Sequence, residues 1–484
     1  MYKDKPKNSL LLALALKMKY KFWLSDFEEP FISLNKFKHM RIESKAFKDY
    51  LQDLSFKCFQ VALYREAMEE ILSFFRHWAR ESKLKFPVFT RVGYSIEGNF
   101  IEVNLLREDN KVLRITKDDI ELDLPRLKFI TSKTQLPLKF NHEILRSMQN
   151  KNFTAKDIFE LFSQVFNIQT KEELALFIAW TIKTFYPVGE YPILAILGER
   201  EGVGKTTFSK FLAQLLDPTT TPLKSFPRNR DDLFVLAKEN FLLVFDNLSY
   251  IDEDMSDALC QLSTGGSISK RKLYTDYEVI DMPVKRPVVI NSIFNVMHRR
   301  DLRRRSIILE LKKPAETKSL KELQEDFNRL APVMYSYIVL CVQEALKEKK
   351  IDLPLLDLAD FCEWVAKAHP VFFMEGREFI QTLKANREEI AKEVLESNLL
   401  VPIIEEKTAT LGIWQTTAKE LLEILRAKYT NEKSLPSTVE KLGRELKKIA
   451  SDLEALGIKV EFIRTPKKRL IVFYKEVEQP KEPS

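Results

Sequence analysis

Cysteine and histidine are scarce in this sequence, with four of the first and five of the second among 484 residues. The cysteines, Cys58, Cys260, Cys341 and Cys362, lie far apart in apolar surroundings and form no CxxC pair. That excludes a disulfide framework and reads as buried free thiols of a reducing cytoplasm. The histidines, His39, His77, His142, His298 and His369, show no HExxH or other ligand spacing, so no zinc is expected. Long apolar runs are missing as well, and nothing approaches the length of a membrane span. The one stretch like a targeting signal, Leu10 to Leu16 behind Lys3, Lys5 and Lys7, is short, and Lys17 and Lys19 follow where a cleavage site needs small residues. It reads as a buried first helix with Ser9 at its N-cap. A strong charge of one sign is also lacking: charged residues make up 30% of the chain, but their excess is only +7. Such a balance suits a nucleic-acid partner without demonstrating one, because clustering matters more than the sum.

What is present is an ordinary globular apolar content of 45% on a chain longer than one core usually serves. Residues 1–140 mix helical stretches with strand-like runs such as Asn99 to Leu106 and Lys111 to Thr116, and read as an N-terminal α+β domain. Residues 141–187 read as a helical collar. Two capping boxes start helices there, Thr154 with Asp157 and Thr170 with Glu173, each followed by apolar residues at helical spacing. Residues 188–345 carry three short continuous apolar runs, Tyr191 to Leu197, Asn240 to Phe245 and Pro287 to Ile290. Such runs, bounded by turn residues, are buried parallel strands of an α/β core. A helical linker region over 346–412 is expected, broken at Pro354, then a module over 413–476 and a frayed tail over 477–484. No internal repeat is visible.

The first apolar run ends in Gly198-Glu-Arg-Glu-Gly-Val-Gly-Lys-Thr-Thr207, followed by a helical pattern at Phe208, Phe211, Leu212 and Leu215. Strand, glycine-rich loop and helix in that order are the context of a phosphate-binding loop. Gly198, Gly202, Val203 and Gly204 offer backbone N–H groups to phosphate oxygens, and the helix N-terminus adds partial positive charge. Lys205 would neutralise the β and γ phosphates of ATP, Thr206 would ligate Mg²⁺, and Thr207 continues the loop into the helix. Five residues instead of four separate Gly198 from Gly204, so the loop is one residue longer than the usual pattern. The second run closes on Asp246, where the Mg²⁺ carboxylate of such a site belongs. Position 247 is Asn, not the Glu that often polarises water, and the general base is left unassigned. Asn291, ending the third run, is placed to orient the attacking water. Arg303-Arg-Arg305 precedes a fourth apolar run, and a cation there can reach into a neighbouring subunit's site. Arg305 is the candidate, with Arg304 second.

Between the second and third strands, two β-prone arms enclose a polar turn, with Lys270, Arg271 and Lys272 on the first arm. This reads as a basic hairpin that grips phosphates without reading sequence. Near the C-terminus, Trp414 to Tyr429 reads as a helix. A capping box over Pro436 to Glu440 begins a second helix that carries Lys441 and Arg444 and runs to about Leu456, stopped by Gly457. Two strands then flank Arg464-Thr-Pro-Lys-Lys-Arg469. Helices followed by a hairpin with the basic turn Lys467, Lys468 and Arg469 describe a winged helix, a fold that grips DNA and also docks proteins.

Together, Leu197 to Phe208, Pro227 to Leu233, Phe245 to Ser249, Ser256 to Gly266, Lys272 to Thr275, Arg286 to Asn291, Asp301 to Ser306 and the winged C-terminus resemble the superfamily 3 type helicase ATPases of phages, plasmids and integrative elements. These are often fused to or encoded beside a primase. The resemblance spans roughly residues 170 to 475. It implies an AAA+ P-loop fold, a hexameric ring, a Walker B Asp246, a sensor Asn291, an arginine acting in trans at Arg305, and DNA contact near Lys270 to Lys272. Members often read Asp-Asn at the Walker B position, as here. The lengthened P-loop departs from the pattern and leaves Glu199 and Glu201 without a role. No polymerase or primase carboxylate set stands in the N-terminal region, so a self-priming activity is not supported. The reading that follows is an ATP- and Mg²⁺-dependent cytoplasmic helicase on single-stranded or forked DNA, working beside a primase or primase-polymerase. Its rival is a DNA-bound regulatory or origin-marking ATPase that does not unwind.

Overall fold

A computed structural model describes residues 12–475, apart from residues 14, 199–201, 272–278, 294–295, 298, 315–316, 354–357, 397, 430–434, 451 and 465–468. Near the N-terminus, β1 (Lys21–Ser25), β2 (Pro30–Ser33), β3 (His39–Arg41), α1 (Lys45–Phe59), α2 (Arg65–Glu81) and β4 (Lys85–Phe86) form one unit. Its sheet has the order β3-β2-β1-β4. The spacing of Ile71, Leu72, Phe75, Trp78 and Ala79 gives α2 one apolar face, and that face closes over Phe22, Leu24 and Ile32. Ser44 starts α1 by accepting from the Phe47 amide.

A second group follows. β5 (Val88–Phe89) pairs with β10 (Lys128–Phe129), and β6 (Val92–Ser95), β7 (Phe100–Val103), β8 (Val112–Ile115) and β9 (Ile120–Asp123) form an antiparallel meander. Ile101, Val103, Leu113 and Ile115 on that meander share a core with the helices after it. The first 140 residues therefore feed two cores, one their own and one held in common with the central body. Arg91 and Asp217 form a buried ion pair across that junction, 2.8 Å apart.

α3 (His142–Met148), α4 (Ala155–Ser163) and α5 (Lys171–Lys183) come next, and both expected capping boxes start their helices, at Thr154 and Thr170. α5 is buried from Leu174 to Lys183 because it lies between the central sheet and the helices near the C-terminal end of that body. The central sheet is parallel, built from β11 (Ile193–Leu197), β12 (Leu243–Leu248), β15 (Val288–Ser292) and β16 (Ser306–Glu310), in the order β12-β15-β11-β16. Its crossovers hold α6 (Lys205–Leu216), α7 (Arg230–Glu239), α8 (Glu253–Thr264), the antiparallel hairpin β13 (Ser267–Arg271) and β14 (Val279–Pro283), and the short α9 (Arg300–Arg304). Two apolar layers cover the two faces of this sheet, which is why its strands read as continuous apolar runs.

α10 (Leu320–Ala345), α11 (Ala359–Lys367) and α12 (Gly376–Glu396) complete the central body, and the expected break at Pro354 lies outside the described residues. α13 (Val401–Leu411), β17 (Ile413–Thr416), α14 (Ala418–Lys428), α15 (Val439–Ile449), a 3₁₀ turn at Leu453–Leu456, β18 (Ile458–Arg464) and β19 (Arg469–Lys475) form a last unit around a separate core. Its sheet order is β17-β19-β18. Three expectations about this unit are corrected. Residues from Trp414 begin as a strand, since Trp414 and Thr416 face inward while Gln415 faces out, and the helix starts only after Thr417, which forms a capping box with Glu420. The helix after Pro436 is capped by Thr438, which accepts from Lys441 and forms no box with Glu440. It ends at Ile449 rather than near Leu456, where only the 3₁₀ turn reaches Gly457, at φ 70. All four cysteines are free, but Cys58 is exposed and Cys260 half-buried, so the expected burial holds only for Cys341 and Cys362. Among the described residues, no helix is long and apolar enough to cross a membrane.

Candidate functional site

β11 delivers the chain to Gly198 and α6 carries it away from Gly204. Gly204 caps that helix at φ 90, and Gly202 sits at φ 84, backbone conformations that glycine adopts at least cost. At Gly198 the constraint is space, since a Cβ there would lie 2.6 Å from Val203 Cγ2 and 3.1 Å from the Leu311 carbonyl oxygen. Lys205 is nearly buried, and its Nζ donates to the Gly198 carbonyl at 3.2 Å. The ammonium is thereby held beneath the loop at the N-terminus of a twelve-residue helix. Thr206 is exposed beside it and Thr207 half-buried. Glu199 and Glu201 of the lengthened loop lie outside the described residues.

β15 is inserted between β11 and β12, so its C-terminal end stands between the loop and Asp246. The Thr206 hydroxyl donates to Asp246 Oδ1 at 3.1 Å. Asn291 Nδ2 donates to the same Asp246 oxygen and to Ser209 Oγ at 3.1 Å, while Asn291 Oδ1 accepts from the Asn247 amide at 2.7 Å. The amide of Asp246 in turn donates to the Lys224 carbonyl at 3.1 Å. The β12 strand does not end at Asp246, as the sequence suggested. It continues to Leu248 through a register shift between Phe245 and Leu248, and Asn247 at the shift has φ 56. The irregularity turns Asp246 toward the loop and leaves Asn247 exposed.

Arg305 stands elsewhere. Its carbonyl accepts from the Ile193 amide at 2.8 Å, which puts it beside the start of β11, whereas the glycine-rich loop follows the strand's other end. The intervening strand is roughly 16 Å long at about 3.3 Å per residue. Its Nε lies 3.8 Å from Glu190 Oε2 and is buried without a hydrogen-bond partner. Arg303 is buried with Asp452, and Arg304 is exposed.

Of the expected DNA-facing residues, Lys270 and Arg271 lie on β13, paired with Ile280 and Val279 of β14. Lys272, Lys467 and Lys468 fall outside the described residues. Lys441 and Arg444 are exposed on α15, one turn apart, and Arg469 is exposed at the start of β19.

Residues 159–383 match the family model described as the actinomycete integrative conjugative element replication protein, and residues 398–482 match the model of the C-terminal domain of that protein. Over those two stretches the chain is similar to this family of replication proteins. No curated protein matches it. Among solved structures, it is similar to the apo C-terminal region of NrS-1 at 14% identity, with 96% of this chain and 100% of that chain covered and a TM-score of 0.38. It is also similar to SCCmec type IV Cch, named an active helicase, at 11% identity, with 94% and 93% covered and a TM-score of 0.45.

Two residues around this loop escaped sequence reasoning. Asn167 Nδ2 donates to the Val203 carbonyl at 3.0 Å and to the Lys312 carbonyl at 2.7 Å, pinning the loop to the exit of β16. An Asn between two helices carries no signal of that task. Ser209, which holds Asn291, was open to inference, because a hydroxyl among Phe208, Phe211 and Leu212 interrupts an apolar helix face and a buried polar group needs a partner.

Proposed function

We propose that this chain is an ATP-dependent DNA translocase and helicase of a mobile-element replication system, built on an AAA+ P-loop core with a C-terminal winged helix and acting as a hexameric ring on single-stranded or forked DNA. The observation that carries the proposal is the meeting of Thr206, Asp246 and Asn291 at the N-terminus of α6, beside Lys205. Two ligands on adjacent corners of an Mg²⁺ octahedron stand about 3 Å apart when each is about 2.1 Å from the ion. The Thr206 and Asp246 oxygens are 3.1 Å apart, so the pair fits that ion. When bound, it neutralises charge on the transferring phosphoryl group.

In this reading the amides of Gly198, Gly202, Val203 and Gly204 hold the triphosphate and Lys205 bears on its β and γ phosphates. Asn291 keeps Asp246 aimed at the loop and orients the attacking water. Arg305 is too far along the sheet to serve its own subunit, so it completes the site of the next one, which makes the ring a requirement of the chemistry. Lys270, Arg271 and Lys272 grip phosphates of the strand being moved. Lys441, Arg444, Lys467, Lys468 and Arg469 grip forked or duplex DNA. The protein works in the cytoplasm, with a primase or primase-polymerase as its partner.

The test is a Lys205→Ala variant in a fork-unwinding assay. ATP-dependent unwinding should disappear, and its retention refutes the site. A second reading, a regulatory or origin-binding ATPase that switches on DNA without unwinding, is favoured by Asn247, whose amide cannot take a proton from water. The effect of single-stranded DNA on ATP hydrolysis separates the two, since strong stimulation belongs to the motor.

A further inference from the structure

Both ends of the basic hairpin rest on one short loop. The loop, residues 187–191, runs from α5 into β11. On the incoming side, Ser263 near the end of α8 donates its Oγ to the Tyr191 carbonyl at 2.7 Å, and the Ser263 carbonyl accepts from the Tyr191 amide at 3.0 Å. On the outgoing side, Lys285, two residues after β14, donates its Nζ to the Gly189 carbonyl at 2.7 Å and also to the Pro187 carbonyl. From below, the buried Lys183 donates to the Val188 carbonyl. Gly189 has φ 70, and a Cβ there would meet Asp360 Cβ at 2.4 Å, so the loop is wedged against α11. The loop is fixed along its length by groups belonging to the hairpin's supports and to two helices.

Glu190 is the charged side chain at the centre of this loop, and its carboxylate faces the Arg305 guanidinium. It also lies in the field of Lys183 and Lys285. Glu190 can therefore exchange partners. While it faces Arg305, the Lys285 ammonium is held by the two loop carbonyls and by the charge of Asp360, with Glu190 the weaker of the two carboxylates acting on it. Once Arg305 turns to another anion, the carboxylate's charge falls on Lys285, one of the two groups that hold the hairpin.

We propose that Glu190 is a positioning residue that couples the subunit-border arginine to the basic hairpin, passing the occupancy of the neighbouring ATP site to the DNA grip through the loop at 187–191. The coupling rests on the reading that Arg305 serves a neighbour's triphosphate. It explains why Arg305 Nε is buried without a full hydrogen bond: the 3.8 Å contact with Glu190 is a resting partnership that a phosphate oxygen can outbid.

The experiment measures ATP hydrolysis by the full chain with and without single-stranded DNA, for the wild type, Glu190→Gln, Glu190→Asp, Lys285→Gln and Arg305→Ala. Glu190→Gln should raise the DNA-independent rate, because Arg305 is no longer held. It should also bring the ratio of stimulated to unstimulated rate to within about twofold of one. Glu190→Asp, which keeps the charge, should restore part of the ratio, and Lys285→Gln, which cuts the same path at the hairpin end, should lower it. A wild-type ratio in Glu190→Gln overturns the coupling. If Arg305→Ala hydrolyses ATP at the wild-type rate, the border-arginine reading falls and the coupling with it. If Arg305→Ala is inactive while Glu190→Gln responds to DNA as the wild type does, the coupling alone falls.

Discussion

Arg303 and Asp452 are buried against each other across the junction between the central sheet and the C-terminal unit, with side chains 8% and 7% exposed. Arg303 also donates to the Met297 carbonyl at 3.2 Å. A charge buried this far is costly once its partner is gone. Asp452→Ala should therefore destabilise the protein by about 3–5 kcal/mol, the usual result of breaking one side of a buried pair. Thermal unfolding checks this, and protease cleavage in the stretch between α12 and α13, where the chain passes from one unit to the other, should accelerate in parallel. An Arg303→Met, Asp452→Leu double variant should recover most of the loss, because a well-packed apolar pair carries no desolvation cost.

The N-terminal sheet should be acid-sensitive. His39 is 6% exposed, its Nδ1 lies 2.8 Å from Ser33 Oγ, and burial, with Lys128 nearby, lowers its pKa to about 4. Between pH 6.5 and 4 the unfolded chain binds a proton at this position and the folded chain does not, so stability falls as pH falls through that window. About 2.5 units at about 1.4 kcal/mol each give a loss on the order of 3 kcal/mol by pH 4. Denaturant melts at about pH 7 and about pH 4.5 test it. His39→Gln should flatten this part of the pH dependence while leaving the rest.

Asn291 has a double task, and its removal should show both. With Asn291→Ala, the Asp246 carboxylate loses a donor and the Asn247 amide loses its acceptor. The cost to stability should be about 1–3 kcal/mol. The turnover number should drop on the order of 100-fold with nucleotide affinity little changed, since Lys205 and the loop amides remain. Steady-state ATPase kinetics beside nucleotide titration separate these effects. Ser209→Ala, which removes only the hydroxyl that Asn291 also holds, should give the same pattern in weaker form.

The parallel sheet is readable because its strands are buried on both faces, so Ile193 to Leu197 and Val288 to Ile290 announce themselves without any alternation to interpret. The loop glycines are readable for a similar reason: few residues tolerate the backbone of Gly202 and Gly204. Features set by one strand's partners are hidden. The register shift that turns Asp246 to the loop depends on how β15 lies against β12, and nothing in Phe245-Asp-Asn-Leu248 encodes it. Trp414 to Thr416 reads as helix from sequence because so short an alternation cannot compete with the helical spacing of Leu421, Leu422 and Leu425 just beyond. Arg303 reads as part of a basic run, and only the fold supplies Asp452, 149 positions away, to bury it.

The C-terminal unit should hold DNA by charge. Lys441 and Arg444 share one exposed side of α15, whose opposite side buries Leu442, Leu446 and Ile449 in that unit's core. Replacing both with Glu leaves the core untouched, so folding should be unaffected. Affinity for forked DNA should fall about tenfold or more at low salt, and the slope of log affinity against log salt should shrink by about one for each phosphate that is no longer neutralised. Unchanged affinity and slope would assign this unit to protein docking instead.

Subunit mixing tests whether Arg305 acts across a border. The strand β11 separates Arg305 from the loop within one chain, so on the proposed reading Lys205→Ala and Arg305→Ala damage opposite sides of one shared site. Each variant alone should have almost no ATPase activity, because every border in its ring is defective. In a ring assembled from equal amounts of both, a border is intact when an Arg305→Ala subunit supplies the loop and a Lys205→Ala subunit supplies the arginine. Random assembly makes roughly a quarter of borders intact. Activity should therefore return on mixing, after dissociation and reassembly, to roughly that fraction if borders fire independently, and to less if hydrolysis must pass around the ring. A mixture as inactive as its parents at every ratio, with rings confirmed by size, would place Arg305 in a structural pairing with Glu190 and leave the trans arginine to be found elsewhere.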